Sequence, residues 1–203
     1  MKQAEKTELT IAKILEAALK EFGANGYAGG TINNICKSGI NKGLIYYNFK
    51  DKDDLYLACL EISCQKLVAL LEESGCTSDQ LQYMKLRMHF YKEYPNEAHI
   101  FFEAILQPQE KLWDRIQEIL QPFEKINERI YRSVVSGVTL RDGITQEEAI
   151  AYFRQMQRMF NGYFSSSACR YMALDKQILA HETNLSKLLD FMLYGIAKGG
   201  NEK

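Results

Sequence analysis

Between Gly29-Gly30 and Asp51 the chain can form only very short helices, because glycines and helix-capping side chains interrupt it every few residues. Thr31 is placed to cap a first helix, in which Ile32, Ile35 and Cys36 share one face. Ser38-Gly39 ends it, since glycine accepts the left-handed backbone of a tight turn, and Ile40 fills the angle between this helix and the next. Asn41 caps a second helix over Lys42 to Phe49, with Ile45 and Phe49 on its inner side. Two short helices joined by a glycine turn make a helix-turn-helix, and the second has the size that enters a DNA major groove.

Such a unit cannot hold itself together, so its neighbours must supply a core. An amphipathic helix from about Thr7 to Ala24 precedes it, with an apolar stripe of Ile11, Leu15, Ala18, Leu19 and Phe22. Asp51 caps a long connector from Lys52 to about Glu73. Beyond Gly75 every segment reads as helix. Thr77 with Gln80 forms a capping box for a helix to Tyr94, and Pro95 opens a short one from Asn96 to Leu106. Pro108 starts another stretch, which Pro122 is expected to break into Gln109 to Leu120 and Phe123 to Val135. Thr145 with Glu148 forms a second capping box, and the next helix, to about Ala173, carries Ile150, Phe153, Phe160, Phe164 and Ala168 on one side. Asp175 caps the last helix, where Ile178, Leu185, Leu189, Met192 and Ile196 recur by threes, fours and sevens. The expected fold is all-α, with about nine to ten helices: a three-helix head over 1–52 and a helical bundle over 53–203. A hydrophobic content of 46% is ample for its core.

The net charge of −1 conceals an asymmetry. Residues 1–52 hold eight lysines against five acids, a surplus of three positive charges, and the remainder carries an excess of four negative ones. A basic head on an acidic body directs one face toward a polyanion, with strong salt dependence. The five cysteines, Cys36, Cys59, Cys64, Cys76 and Cys169, form no CxxC pair and read as buried thiols in a reducing compartment. No leader-like segment opens the chain and no apolar run approaches a membrane span, so a cytoplasmic protein is expected.

The helix-turn-helix stretch resembles the tetracycline-repressor-like (TetR) family of bacterial transcription regulators. The resemblance covers roughly the first quarter of the chain and rests on Gly26-Tyr27, Thr31, Ile35, Gly39, Lys42-Gly43, Tyr46, Phe49, Lys52 and Leu55. Cys36, Ser38, Leu44 and Asn48 depart from the family's usual residues, and the last two lie on the recognition helix. The expected DNA contacts are Thr31, Lys42, Tyr46, Tyr47 and Lys52 to phosphates, with Asn41, Gly43 and Leu44 near the bases and Asn33 and Asn34 as further adenine readers. Every arginine lies at Arg87 or later, which removes the side chain that most often reads guanine and points to an A·T-leaning operator.

The resemblance further implies a small-molecule effector cavity in the body and a homodimer through the last two long helices. On the residues alone, closure of the monomer's own core accounts equally well for those two helices. Met84, Met88, Tyr91, Phe102, Trp113, Tyr152, Met156, Phe160 and Tyr163 are candidate cavity residues, suited to a largely apolar or aromatic effector. The reading is therefore a ligand-responsive repressor that binds a palindromic duplex and needs no cofactor. A helical-bundle enzyme or metal protein is the alternative, through His89 with Glu93 and His99 with Glu103. No phosphate loop, nucleophile elbow or HExxH motif supports it. A protein-interaction module that has lost DNA binding is a third reading.

Overall fold

A computed structural model describes residues 3–75, 80–169 and 171–196. Nine α-helices succeed one another without a strand among the described residues: α1 Gln3–Gly29, α2 Ile32–Cys36, α3 Lys42–Asn48, α4 Lys52–Glu73, α5 Gln80–Glu93, α6 Pro95–Leu106, α7 Trp113–Ser136, α8 Gln146–Ser165 and α9 Leu174–Ile196. One turn of 3-10 helix, Glu110–Leu112, leads into α7. The expected Thr77-Gln80 capping box and the Cys76 thiol fall outside the described residues.

The caps read from the sequence form at α2, α3, α4 and α8. Thr31 accepts from the Asn34 amide, Asn41 from Gly43 and Asp51 from Asp54. The Thr145-Glu148 box is reciprocal. Gly39 lies at φ 89°, in the left-handed region that the turn requires. Ile32, Ile35, Ile45 and Phe49 face inward, and Ile40 packs on the same core.

Four expectations need correction. The buried stripe of α1 is Ile14, Ala18 and Phe22, and Ile11, Leu15 and Leu19 flank it half-buried. α7 runs unbroken through Pro122. Pro122 and Glu118, whose carbonyl loses the amide donor, both face solvent, so water can satisfy that carbonyl, while buried Leu120, Phe123 and Ile126 anchor both halves. α8 stops at Ser165, because the Ser166 hydroxyl donates to the Tyr163 carbonyl and turns the chain, which leaves Ala168 outside the helix and exposed. Asp175 lies inside the first turn of α9, and its carboxylate faces Tyr91 and His99 rather than its own helix end.

The repeat on α9 also has a different destination from a dimer seam. Ile178, Leu185, Leu189 and Met192 are buried in the chain's own core. The large apolar side chains that remain exposed on the last two helices are Tyr152, Met159 and Tyr163 of α8 and Leu179 and Phe191 of α9.

The body core is aromatic at its centre, with Phe101 edge-on to Phe90, Phe102 and Phe123. Among these rings lies a fully buried ion pair. Arg87 of α5 donates from Nε and Nη2 to Glu182 of α9 at 2.7 and 2.6 Å, and from Nη1 to the Tyr83 hydroxyl at 2.8 Å. Burial alone would raise the Glu182 carboxyl; the Arg87 guanidinium outweighs it and holds the group down at about 2. The stabilisation from this lowered carboxyl is therefore present above the ordinary carboxylate range and is lost as pH falls through about 2. Arg87→Met should destabilise the body by roughly 3–5 kcal/mol by stranding the Glu182 charge, and adding Glu182→Gln should restore most of that loss. Urea midpoints of the two variants test this, and an unrelieved double variant would show that packing, not charge, governs the site.

Candidate nucleic-acid interface and effector cleft

The two short helices present one polar face. Leu44, Tyr46 and Tyr47 are exposed by 40%, 49% and 82%, and Thr31, Asn41, Lys42 and Gly43 are also exposed. These residues are thus all open to solvent, where a duplex can reach them. Their present partners refine the individual roles. The Lys42 ammonium donates to Asn33 Oδ1 at 3.0 Å, which ties α3 to α2. Asn41 Oδ1 takes the Gly43 amide at 2.7 Å, and a Cβ at Gly43 would come within 3.1 Å of that oxygen, so glycine here protects the cap. Asn34 turns toward α1 and donates to Glu21 Oε1 at 2.8 Å, and the Thr31 amide donates to the same oxygen at 3.1 Å. A carboxylate thus already occupies the positive end of α2. Lys52 is half-buried, with its ammonium 4.5 Å from the centre of the Tyr27 ring.

The head joins the body along α1 and α6. α1 is broken at Gly26, which has φ 65° and ψ 179°, and the Tyr27 amide points at Glu103 of α6, donating at 2.9 and 3.0 Å to its two oxygens. The Tyr56 hydroxyl of α4 donates to the same carboxylate at 3.0 Å. Burial pushes the Glu103 carboxyl up, and the Tyr27 amide and Tyr56 hydroxyl pull against it. A Cβ at Gly23 would lie 2.5 Å from the Asn96 backbone, so the two helices meet nearly backbone to backbone. Beside them His99 Nδ1 donates to the Gly23 carbonyl at 2.8 Å, while Nε2 faces Asp175 Oδ1 of α9 at 2.5 Å. His99 and Glu103, a candidate metal pair by spacing, are thus each committed to a different structural partner. His89 lines a groove between α5 and α9. Sequence reasoning missed the Glu103 joint. Its trace was an acid within the apolar run Ile100 to Leu106, opposite a glycine whose conformation could not be read.

The nine candidate effector residues do not converge. Met84 and Met88 line the α5–α9 groove of about 470 Å³. Trp113 lines a larger cleft of about 750 Å³ between the end of α6, α7 and α8. Phe102 is sealed in the core against Arg87, and Met156 and Phe160 pack half-buried against it. Tyr91 bonds Asp175, while Tyr152 and Tyr163 stand exposed on α8. Beside Trp113 the larger cleft is lined by polar residues that attention to apolar side chains passed over, including Asn127, Arg154, Arg158 and Asn161. The available signal was the matched spacing of Glu124 and Glu128 on α7 against Arg154 and Arg158 on α8.

Residues 14–59 match the family model described as bacterial regulatory proteins, tetR family. Over this segment the chain is similar to the TetR family. The matched segment contains α2, α3 and their exposed outer face. Among relatives, the HTH-type transcriptional regulator RutR of Escherichia coli is 28% identical over 108 residues, 51% of either chain. The chain thus spans about half the length of the curated relatives it matches first. The fold extends further. SmeT, repressor of the Stenotrophomonas maltophilia multidrug efflux pump SmeDEF, aligns with TM-score 0.60 at 22% identity over 96% of this chain and 93% of that one. FadR of Bacillus subtilis, solved in complex with stearoyl-CoA, gives 0.59 at 18% identity over 91% and 98%. These two show that a shared fold continues through the body.

At the α1–α6 joint, Gly26→Ala should destabilise the chain by about 1–2 kcal/mol, because alanine resists the positive φ and its Cβ would lie 2.7 Å from Glu103 Oε1. Thermal melting checks this. A wild-type melting temperature would mean that the Tyr27-Glu103 contact is not a rigid joint.

Proposed function

We propose that the chain is a ligand-responsive transcription regulator, acting as a repressor, that binds a palindromic duplex as a homodimer in the cytoplasm. The observation that carries this reading is the exposed Lys42-Leu44-Tyr46-Tyr47 face on a helix whose opposite side, Ile45, is fully buried. A helix so mounted presents its outer side rigidly to a groove. In this reading residues 1–52 form the DNA-binding head and 53–203 the sensing and pairing body. Lys42 leaves Asn33 for a phosphate, Lys52, Tyr46, Tyr47 and the Thr31 hydroxyl add further backbone contacts, and Leu44 meets a thymine methyl. Asn41 contributes by holding the start of α3 rather than by reading a base.

Pairing uses the outer faces of α8 and α9. Tyr152, Met159 and Tyr163 fall on one side of α8 and are exposed, as are Leu179 and Phe191 of α9, and a two-fold axis buries such apolar groups against a second copy. The relatives carrying regulator and repressor names and the ligand-bound FadR neighbour support both halves of the reading. No helix among the described residues is long and apolar enough to cross a membrane.

Selection from random DNA should return inverted half-sites leaning to A·T, in keeping with an arginine-free head. G·C-rich half-sites would refute that preference. Lys42→Ala should weaken binding on all sequences and reduce the salt slope by about 1, whereas Leu44→Ala should shift the selected bases with little change in slope. A chain that ignores every duplex at low salt would remove the reading altogether.

A further inference from the structure

The larger cleft is graded along its length. α7 and α8 run antiparallel, as the pairings of Arg132 with Glu147 and Arg154 with Glu128 require. Its lining at the start of α7 carries the larger apolar groups, Trp113 and Leu120 beside Ile105 and Pro108 at the end of α6, interspersed with the uncharged Gln117, Gln121 and Ser165. At the other end, α7 contributes Glu124, Lys125, Asn127 and Glu128, opposite Arg154 and Arg158 of α8. Trp113 and Glu128 are separated by about 20 Å of helix at ~1.5 Å per residue.

The polar end is built and incompletely matched. Asn127 is 99% buried: its Oδ1 accepts from the Tyr83 hydroxyl at 2.6 Å, but its Nδ2 donor has no partner. Arg154 Nε is likewise a buried donor without an acceptor. Glu128 is already shared by Arg132 at 2.9 Å and Arg154 at 3.6 Å, while Arg158 and Lys125 form no salt bridge among the described residues. The cleft thus offers three cations against two acids, and two buried N–H groups lack an acceptor. Leaving such donors unmet costs about 1–3 kcal/mol each, so an acceptor of negative charge is the chemistry this end rewards.

The network behind Asn127 gives that end a firm base. From Asn127 the hydrogen bonds continue through Tyr83, Arg87, Glu182 and His181 to Asn161, which again lines the cleft. One wall is therefore tied to the other through α5 and α9, and a group bound between them meets fixed partners.

We propose that this cleft takes an amphiphilic monoanion, its single carboxylate held by Asn127, Arg154 and Arg158 and its apolar part lying toward Leu120 and Trp113. This deepens the effector half of the regulator reading and rests on it, and it replaces the expectation of a largely apolar effector by one with an obligatory charged head.

Trp113 is the only tryptophan in the chain and lines the cleft, so its fluorescence reports occupancy directly. The full chain is titrated with two isosteric sets: phenylbutyrate, phenylbutanol and phenylbutylamine, and decanoate, decanol and decylamine. The carboxylate of at least one set should bind about tenfold or more tightly than its alcohol and amine, a preference of the size expected for charge-assisted hydrogen bonds. Arg158→Gln should abolish that preference, the carboxylate then binding no more tightly than its alcohol. Equal binding of alcohol and acid, a preference that survives Arg158→Gln, or no response to either set overturns the assignment. Failure here leaves the duplex-binding result standing. Conversely, a carboxylate preference in a chain that ignores DNA supports the cleft and sinks only the regulator reading.

Discussion

The carboxylate of Glu103 fixes how the head meets the body. It is buried, and three hydrogen bonds converge on it, two from the Tyr27 amide and one from the Tyr56 hydroxyl. A carboxylate removed from water must be matched by donors, so the end of α1, the start of α4 and the middle of α6 are forced to one point. Gly26 supplies the backbone turn that aims the Tyr27 amide, and Gly23 lets the helices close to near contact. Around this point Tyr27 also donates to Asp53, which Lys111 neutralises from the 3-10 turn. A displacement of α6 that left the head in place would have to break several of these bonds together. Under the proposed function, α6 together with α4 is the route by which a ligand in the body would reach the head.

A second buried charge organises the other end of the molecule. Arg87 and Glu182 hold α5 to α9, and Tyr83, Asn127, His181 and Asn161 extend their hydrogen bonds to α7 and α8. Burial pushes His181 down against the opposing pull of Glu182. One polar core therefore joins four helices, two of which wall the cleft. A ligand that engages Asn127 or Asn161 acts on a connected set of bonds and not on a single side chain, which is the kind of contact that can favour one helix arrangement over another. Cys59 and Cys64 take no part in this. Burial raises Cys59 to about 12 and Cys64 to about 11, and both remain inert packing groups.

Local rules were enough for the head and for the start of α8. Thr31, Asn41, Asp51 and Thr145 cap their helices because a side-chain oxygen and an amide two or three residues on need nothing else to find each other. Gly39 turns because its backbone alone decides that. Reading failed where a residue answers to distant partners. Asp175 had the form of a cap, yet His99 and Tyr91, far away in sequence, claim its carboxylate. Pro122 had the form of a breaker, yet solvent on one side and core contacts on the other keep α7 whole. The apolar candidates for the effector site were chosen by composition, and composition cannot tell a core ring such as Phe102 from a cleft residue such as Trp113.

The sequence by itself determined the all-α character, the helix-turn-helix with its basic and arginine-free face, and the places where most helices begin, since all of these arise from interactions within one or two turns of chain. Only the tertiary structure decided that Glu103 anchors the head, that the α9 repeat closes the monomer's own core, and that the cleft of the body has an uncharged end and a charged one. Those features depend on which helices lie side by side, and a buried charge or an unmatched donor acquires its meaning only from neighbours that the order of residues does not name.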